Sequence, residues 1–236
     1  MSSITPKRHP FIVLEGCDRV GKTTTCQALC SRLNRYTRNH VTSYKFPFTE
    51  TSLGTFIYKY INNYFDLELS DVVIHHLFSA NRWERRLALI NQLRTEPVVC
   101  DRYVASGRAY TAAQGNLTLE WCKQFDEGLP RPDLTIYLEC NMDKLSRRRG
   151  FGLSYLETID FQQKVKKQFE ILRDEEPNWV SIDTSYLKPD EVIEKLNPVI
   201  HNLMQKFKDD SPPLEFYSIP DPPKPNQFVV GPGPHH

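Results

Sequence analysis

One run of residues near the N-terminus, Gly16-Cys17-Asp18-Arg19-Val20-Gly21-Lys22-Thr23, constrains this chain more than any other feature. It fits G-x-x-x-x-G-K-[ST]. It stands between a β-branched apolar run at residues 11–14 and a segment in which Cys26, Leu29, Cys30 and Leu33 recur at helical spacing. Strand, glycine loop and helix in that order are what a phosphate cradle needs. Gly16 and Gly21 let backbone N–H groups wrap the phosphates, and the helix N-terminus adds its positive end. Lys22 neutralises the β and γ oxygens, the Thr23 hydroxyl is placed to ligate Mg²⁺, and Thr24 follows on the same first turn. The expectation is a nucleoside triphosphate site with Mg²⁺ as cofactor and ATP or GTP as ligand.

Further apolar runs at residues 41–46, 98–100, 134–138 and 180–182 alternate with helix-like stretches. That alternation predicts an α/β fold: a five-stranded parallel sheet with helices on both faces. Ser70 or Asp71 is placed to cap a long helix through Leu93. Late in the chain Val192, Leu196, Ile200, Leu203 and Phe207 keep helical spacing around Pro198, where a kink or break is expected.

At 236 residues, with 39% hydrophobic and 25% charged residues, one domain accounts for the chain. A net charge of +1 gives no global field for a polyanion, so no nucleic-acid partner is expected and phosphate must be bound locally. The six cysteines form no C-x-x-C pair and lie mostly in hydrophobic runs, which fits buried thiols in a reducing compartment, the cytoplasm or also the nucleus. No stretch reaches transmembrane length, so no membrane is expected as a partner.

The third apolar run ends in Asp101-Arg102-Tyr103. A carboxylate there can hold a Mg²⁺-bound water while the adjacent guanidinium grips a phosphate with two parallel bonds, an arrangement suited to a phosphate acceptor. An Asn-Lys-x-Asp motif, which a GTPase would carry, is absent from the sequence. Phe78 and Arg82 lie four apart, so a ring and a hydrogen-bond fork share one helix face and together can hold a base. The same spacing also fits a core phenylalanine beside a structural arginine.

Phe78-Ser79-Ala80-Asn81-Arg82-Trp83-Glu84, Asp101-Arg102-Tyr103 with Ser106-Gly107, and Gly128-Leu129-Pro130-Arg131-Pro132-Asp133 together resemble thymidylate kinases of the eukaryotic and viral type. The resemblance runs from about Phe11 to Asp183. It implies the P-loop nucleoside monophosphate kinase fold with a short lid at about residues 146–160, and transfer of the γ-phosphoryl group of ATP to thymidine monophosphate. It implies that Phe46, Phe78, Arg82, Arg102, Ser106, Gly107 and Tyr110 bind the acceptor, with Phe78 stacked on thymine and Arg82 donating to its O4. Asp18 is expected at the acceptor 3′-hydroxyl and Tyr110 near the 2′-carbon. Pairing as a homodimer is likewise implied. One departure stands out: the family's Phe-Pro-x-Arg reads Phe46-Pro47-Phe48-Thr49, which removes a charge-assisted contact to the acceptor phosphate.

Phosphoryl transfer asks the protein to neutralise charge on the moving group, and arginines meet that need. Arg19, inside the loop, is expected to be the catalytic arginine, alongside Lys22, Asp18, Arg102 and Asp101. The run Arg147-Arg148-Arg149 before Gly150-Phe151-Gly152 offers lid charge, or merely complements a helix C-terminus. The runner-up functions are a kinase of another pyrimidine nucleoside or monophosphate and a weakened nucleotide-binding module. Residues 1–9 read as an N-terminal extension, 10–208 as the kinase-like domain and 209–236 as a proline-rich disordered tail ending in two histidines.

Overall fold

The computed structural model describes residues 7–37, 40–152 and 156–218. Its strands are β1 (Phe11–Glu15), β2 (Thr42–Lys45), β3 (Val98–Asp101), β4 (Leu134–Glu139) and β5 (Trp179–Asp183). The helices are α1 (Lys22–Thr37), α2 (Ser52–Ile61), α3 (Asp71–Gln92), α4 (Val104–Gln114), α5 (Leu119–Lys123), α6 (Met142–Ser146), α7 (Ile159–Glu175) and α8 (Pro189–Asp209). All strand pairs are parallel, in the order β2-β3-β1-β4-β5. The expected sheet is therefore present, each strand within about two residues of its expected bounds.

The order matters for function. β1 lies centrally, with β3 on one side and β4 on the other. Its chain exit, like that of β3, opens at the C-terminal edge where α/β folds bind ligands. β1 is buried throughout because helices cover both faces. One apolar cluster joins Ile12, Leu14 and Ile136 with α1, α7 and α8, and a second joins Phe11, Val13, Val98 and Tyr103 on the other face.

Local chemistry sets the helix starts. Ser70 caps α3 by accepting from the Val73 N–H, and Thr158 caps α7 by accepting from Phe161. Each such cap stabilises its helix by about 1 kcal/mol.

Two expectations need correcting. Pro198 does not break its helix: α8 runs continuously from Pro189 to Asp209. Its buried face of Val192, Leu196, Ile200, Met204 and Phe207 outweighs the roughly 3 kcal/mol that an internal proline costs. Nor is the whole C-terminal segment detached. Residues 211–218 are extended, but Leu214 and Tyr217 pack on the second cluster and Phe216 bridges Pro130 in antiparallel fashion. Arg8 clasps this segment. Its guanidinium holds Asp133 at 2.7 Å through both oxygens and donates to the carbonyls of Pro212 (2.8 Å) and Pro213 (2.9 Å). The rest of the proline-rich tail with His235 and His236, residues 1–6, and residues 153–155 of the expected lid lie outside the described residues.

Candidate active site

Gly16, at φ 141°, opens the loop after β1, and a Cβ there would stand 2.4 Å from the Leu138 carbonyl of β4. Only glycine fits so close to the neighbouring strand. The loop then turns into α1, leaving Thr23 and Thr24 exposed on its first turn while Lys22 is buried. The Lys22 ammonium folds back onto the carbonyls of Gly16 (3.0 Å) and Cys17, its stand-ins for phosphate oxygens. Burial, with Arg102 nearby, pulls its pKa down to about 8.

Thr23 Oγ1 donates to Asp101 Oδ2 (2.5 Å), and Asp101 Oδ1 is buried without a partner. An unpaired buried carboxylate oxygen beside a hydroxyl is a hard oxygen donor set.

Arg102 stands where β3 ends, in the left-handed region at φ 68°. One terminal nitrogen donates to Ser106 Oγ (3.1 Å) and the Gly16 carbonyl (3.4 Å), and the other to Asp18. Asp18 also accepts from Tyr110 Oη (2.8 Å) and Gln162 Nε2 (3.1 Å). Burial pushes its carboxyl up, but Arg102, Lys22 and these hydrogen bonds outweigh burial and hold its pKa below the usual value. Asp18 is thus a fixed anion joining the cradle to what lies beyond.

Beyond it is a cavity of about 410 Å³. Asp18, Arg19 and Arg102 line its phosphate end; Ser106, Gly107 and Tyr110 form a wall from α4; Phe78 and Arg82 project from α3; and Phe46 with Pro47, joined by a cis peptide, closes one side. Every acceptor residue expected from sequence lines this one space. Thr49 does not, and neither does Lys45, so the cations along it are Arg19, Arg82 and Arg102.

Arg82 is placed by residues that sequence reasoning did not single out. Its Nε and one terminal nitrogen donate to Asp126 Oδ1 at 3.1 and 2.7 Å, and Ser79 adds a bond to the same oxygen. The two readings left open for Arg82 are therefore both partly right: it is a buried ion-pair partner and it faces the cavity. A Cβ on Gly107 would meet its guanidinium at 2.7 Å, so glycine is what lets Arg82 lie flat against α4.

Arg19 is also engaged. Its Nε donates to Glu157 Oε1 at 2.9 Å. Of the arginine run, Arg148 donates to the carbonyls of Arg19 (2.7 Å) and Thr184 (2.8 Å), which ties the segment after α6 to the cradle instead of serving a helix end.

Glu15 and Asp126 are site residues that sequence reasoning did not single out, and Glu157 and Gln162, which fall where the family has its post-lid helix, received no role from it. Glu15 ends β1 and accepts from the amides of Tyr103 (2.8 Å) and Ser106 (3.1 Å), capping α4. A buried acid closing a hydrophobic strand was its only signal.

Comparison with known proteins agrees with this geometry. The family profile "Thymidylate kinase" matches residues 14–195. A thymidylate kinase of Arabidopsis thaliana is 38% identical over 89% of this chain and 78% of its own length, and one of Homo sapiens is 38% identical over 76% and 84%. The solved structure of the Candida albicans thymidylate kinase superposes with a TM-score of 0.80 at 30% identity, covering 89% of this chain and 99% of that one. With a cradle, an acceptor cavity and these relatives in agreement, the chain belongs to the thymidylate kinase family.

Proposed function

We propose that this chain transfers the γ-phosphoryl group of ATP to thymidine monophosphate, giving dTDP and ADP. The observation that carries the proposal is the junction at Asp18 and Arg102, where a phosphate cradle meets a nucleotide-sized cavity. A phosphate oxygen of the acceptor attacks the γ-phosphorus, and the bond from that phosphorus to the β–γ bridging oxygen breaks. An acceptor phosphate is nucleophilic as it stands, so the protein positions and neutralises. Lys22 and the loop amides hold the donor, and Arg102 holds the acceptor phosphate. Arg19 turns from Glu157 to the moving group, and Phe78 with Arg82 grips the thymine.

Mg²⁺ fits the donor set of Thr23 and Asp101, the latter through water, because Asp101 Oδ1 is buried with no partner. When bound it would neutralise charge on the β and γ phosphates. The exposed Leu87 and Trp83 on α3 support pairing as a homodimer through helices. No described helix is long and apolar enough to cross a membrane. Free, mostly buried thiols support a place in the cytoplasm or nucleus.

The test is ADP release with ATP against dTMP, dUMP, dCMP and thymidine. The expected result is the highest kcat/KM with dTMP and none above background in Lys22→Ala. A preference for thymidine or dCMP would overturn the acceptor assignment, and activity in Lys22→Ala the donor site.

A further inference from the structure

The network that aims Arg82 does not stop at Asp126. Asp126 is fully buried and carries two guanidinium groups: Arg82 on Oδ1, and Arg108 of α4 on Oδ2 at 3.2 Å. Both arginines are nearly inaccessible, so one carboxylate faces two buried cations. The face of the Tyr217 ring lies 4.6 Å from the Arg108 guanidinium carbon and offsets that excess charge. Tyr217 is itself fixed by backbone: its N–H donates to the Leu129 carbonyl (3.0 Å), and its carbonyl accepts from Gly128 (2.9 Å). Gly128 and Leu129 lie two and three residues after Asp126 in the loop before β4. The same residue thus braces the carboxylate's loop and covers its second cation, although it lies outside residues 14–195 that the family profile matches.

We infer that Tyr217 is a positioning residue for acceptor recognition, acting through Arg108 and Asp126 on Arg82. Without the ring, Arg108 is free to leave Asp126 Oδ2. The carboxylate can then rotate and carry Oδ1 away from Arg82, whose orientation in the cavity depends on that oxygen. The inference rests on the functional reading for its kinetic consequence, while its structural content stands apart from any substrate.

Two measurements on the full-length chain test it. In steady-state kinetics, Tyr217→Ala should raise KM for dTMP about tenfold, with kcat and KM for ATP within about twofold, while Tyr217→Phe, which keeps the ring, should match the parent protein. Leu214→Ala, in the same segment and packed on the second apolar cluster, should lower thermal stability without moving KM for dTMP. An equal rise in KM for dTMP in Leu214→Ala, or none in Tyr217→Ala, would reduce the segment to a general staple and overturn the inference. In the ligand-free protein, the NMR signal of the Arg82 Nε–H should exchange with solvent at least about tenfold faster in Tyr217→Ala. Unchanged exchange overturns the inference even if the parent enzyme turns over no dTMP, a result that would sink only the functional reading.

Discussion

Arg102→Lys keeps the positive charge and removes the fork, and counting donors gives the consequence. A guanidinium has five N–H donors and an ammonium three. In the ligand-free site Arg102 commits three of them, to Gly16, Ser106 and Asp18, which leaves Nε–H and one terminal N–H for an acceptor phosphate. A lysine satisfying the same acceptors has none left. Two charge-assisted hydrogen bonds of about 1.5–3 kcal/mol each then go unmade, and the retained charge recovers part of the loss. A net loss of about 3 kcal/mol lowers kcat/KM for dTMP by about 150-fold. KM for ATP should stay within about threefold, because Lys22 and the loop amides are untouched. The assay is ADP release with dTMP titrated at saturating ATP. A fall of less than about fivefold would show that a point charge suffices at this position and refute the donor count.

Glu15→Gln tests the buried cap of α4. Burial holds the Glu15 carboxyl above its ordinary pKa of 4.5, against the Ser106 hydrogen bonds and Arg102. The native state therefore binds this proton more tightly than the unfolded chain, and stability declines as pH rises from 4.5 toward the native value. Glutamine still accepts from Tyr103 and Ser106 and should abolish that decline; urea midpoints with the same pH slope in both proteins would contradict it. Asp126→Asn leaves two buried guanidinium groups facing a neutral amide, a loss of about 3–5 kcal/mol. The melting temperature should fall by about 6–20 °C by calorimetry, and a shift below about 3 °C would mean the arginines find other partners. Arg19→Ala should lower kcat far more than it raises KM for ATP, and equal losses would assign Arg19 to ground-state binding.

What the sequence revealed and what it hid divide along chain separation. The cradle is contiguous, and each strand and main helix announces itself by its own periodicity, so the parallel sheet and the donor residues were legible. Asp101-Arg102 was legible because adjacency alone fixes the chemistry. Phe78 and Arg82 were legible as a pair through their helical spacing, but their purpose became clear only with the resemblance. Asp126 reaches Arg82 across 44 positions, Glu157 reaches Arg19 across 138 and Gln162 reaches Asp18 across 144. Such contacts are set by the strand order, which no local pattern encodes. Proline content marked residues 209–236 as a disordered tail, whereas residues 211–218 are extended but packed against the domain. It said nothing of Leu214 and Tyr217, whose value lies in the apolar surface they cover.

The clasp at Arg8 makes the two ends of the folded unit a single piece of architecture. One buried guanidinium reads Asp133 at the foot of β4 and the backbone just past α8, so its loss frees the first strand's approach and the C-terminal segment together. Trimming the leading residues up to position 8 would therefore loosen the opposite end of the polypeptide, which Ser211 also ties to the Arg8 backbone. Shortened versions of this enzyme keep these closing contacts only if Arg8 and residues 211–213 are both retained.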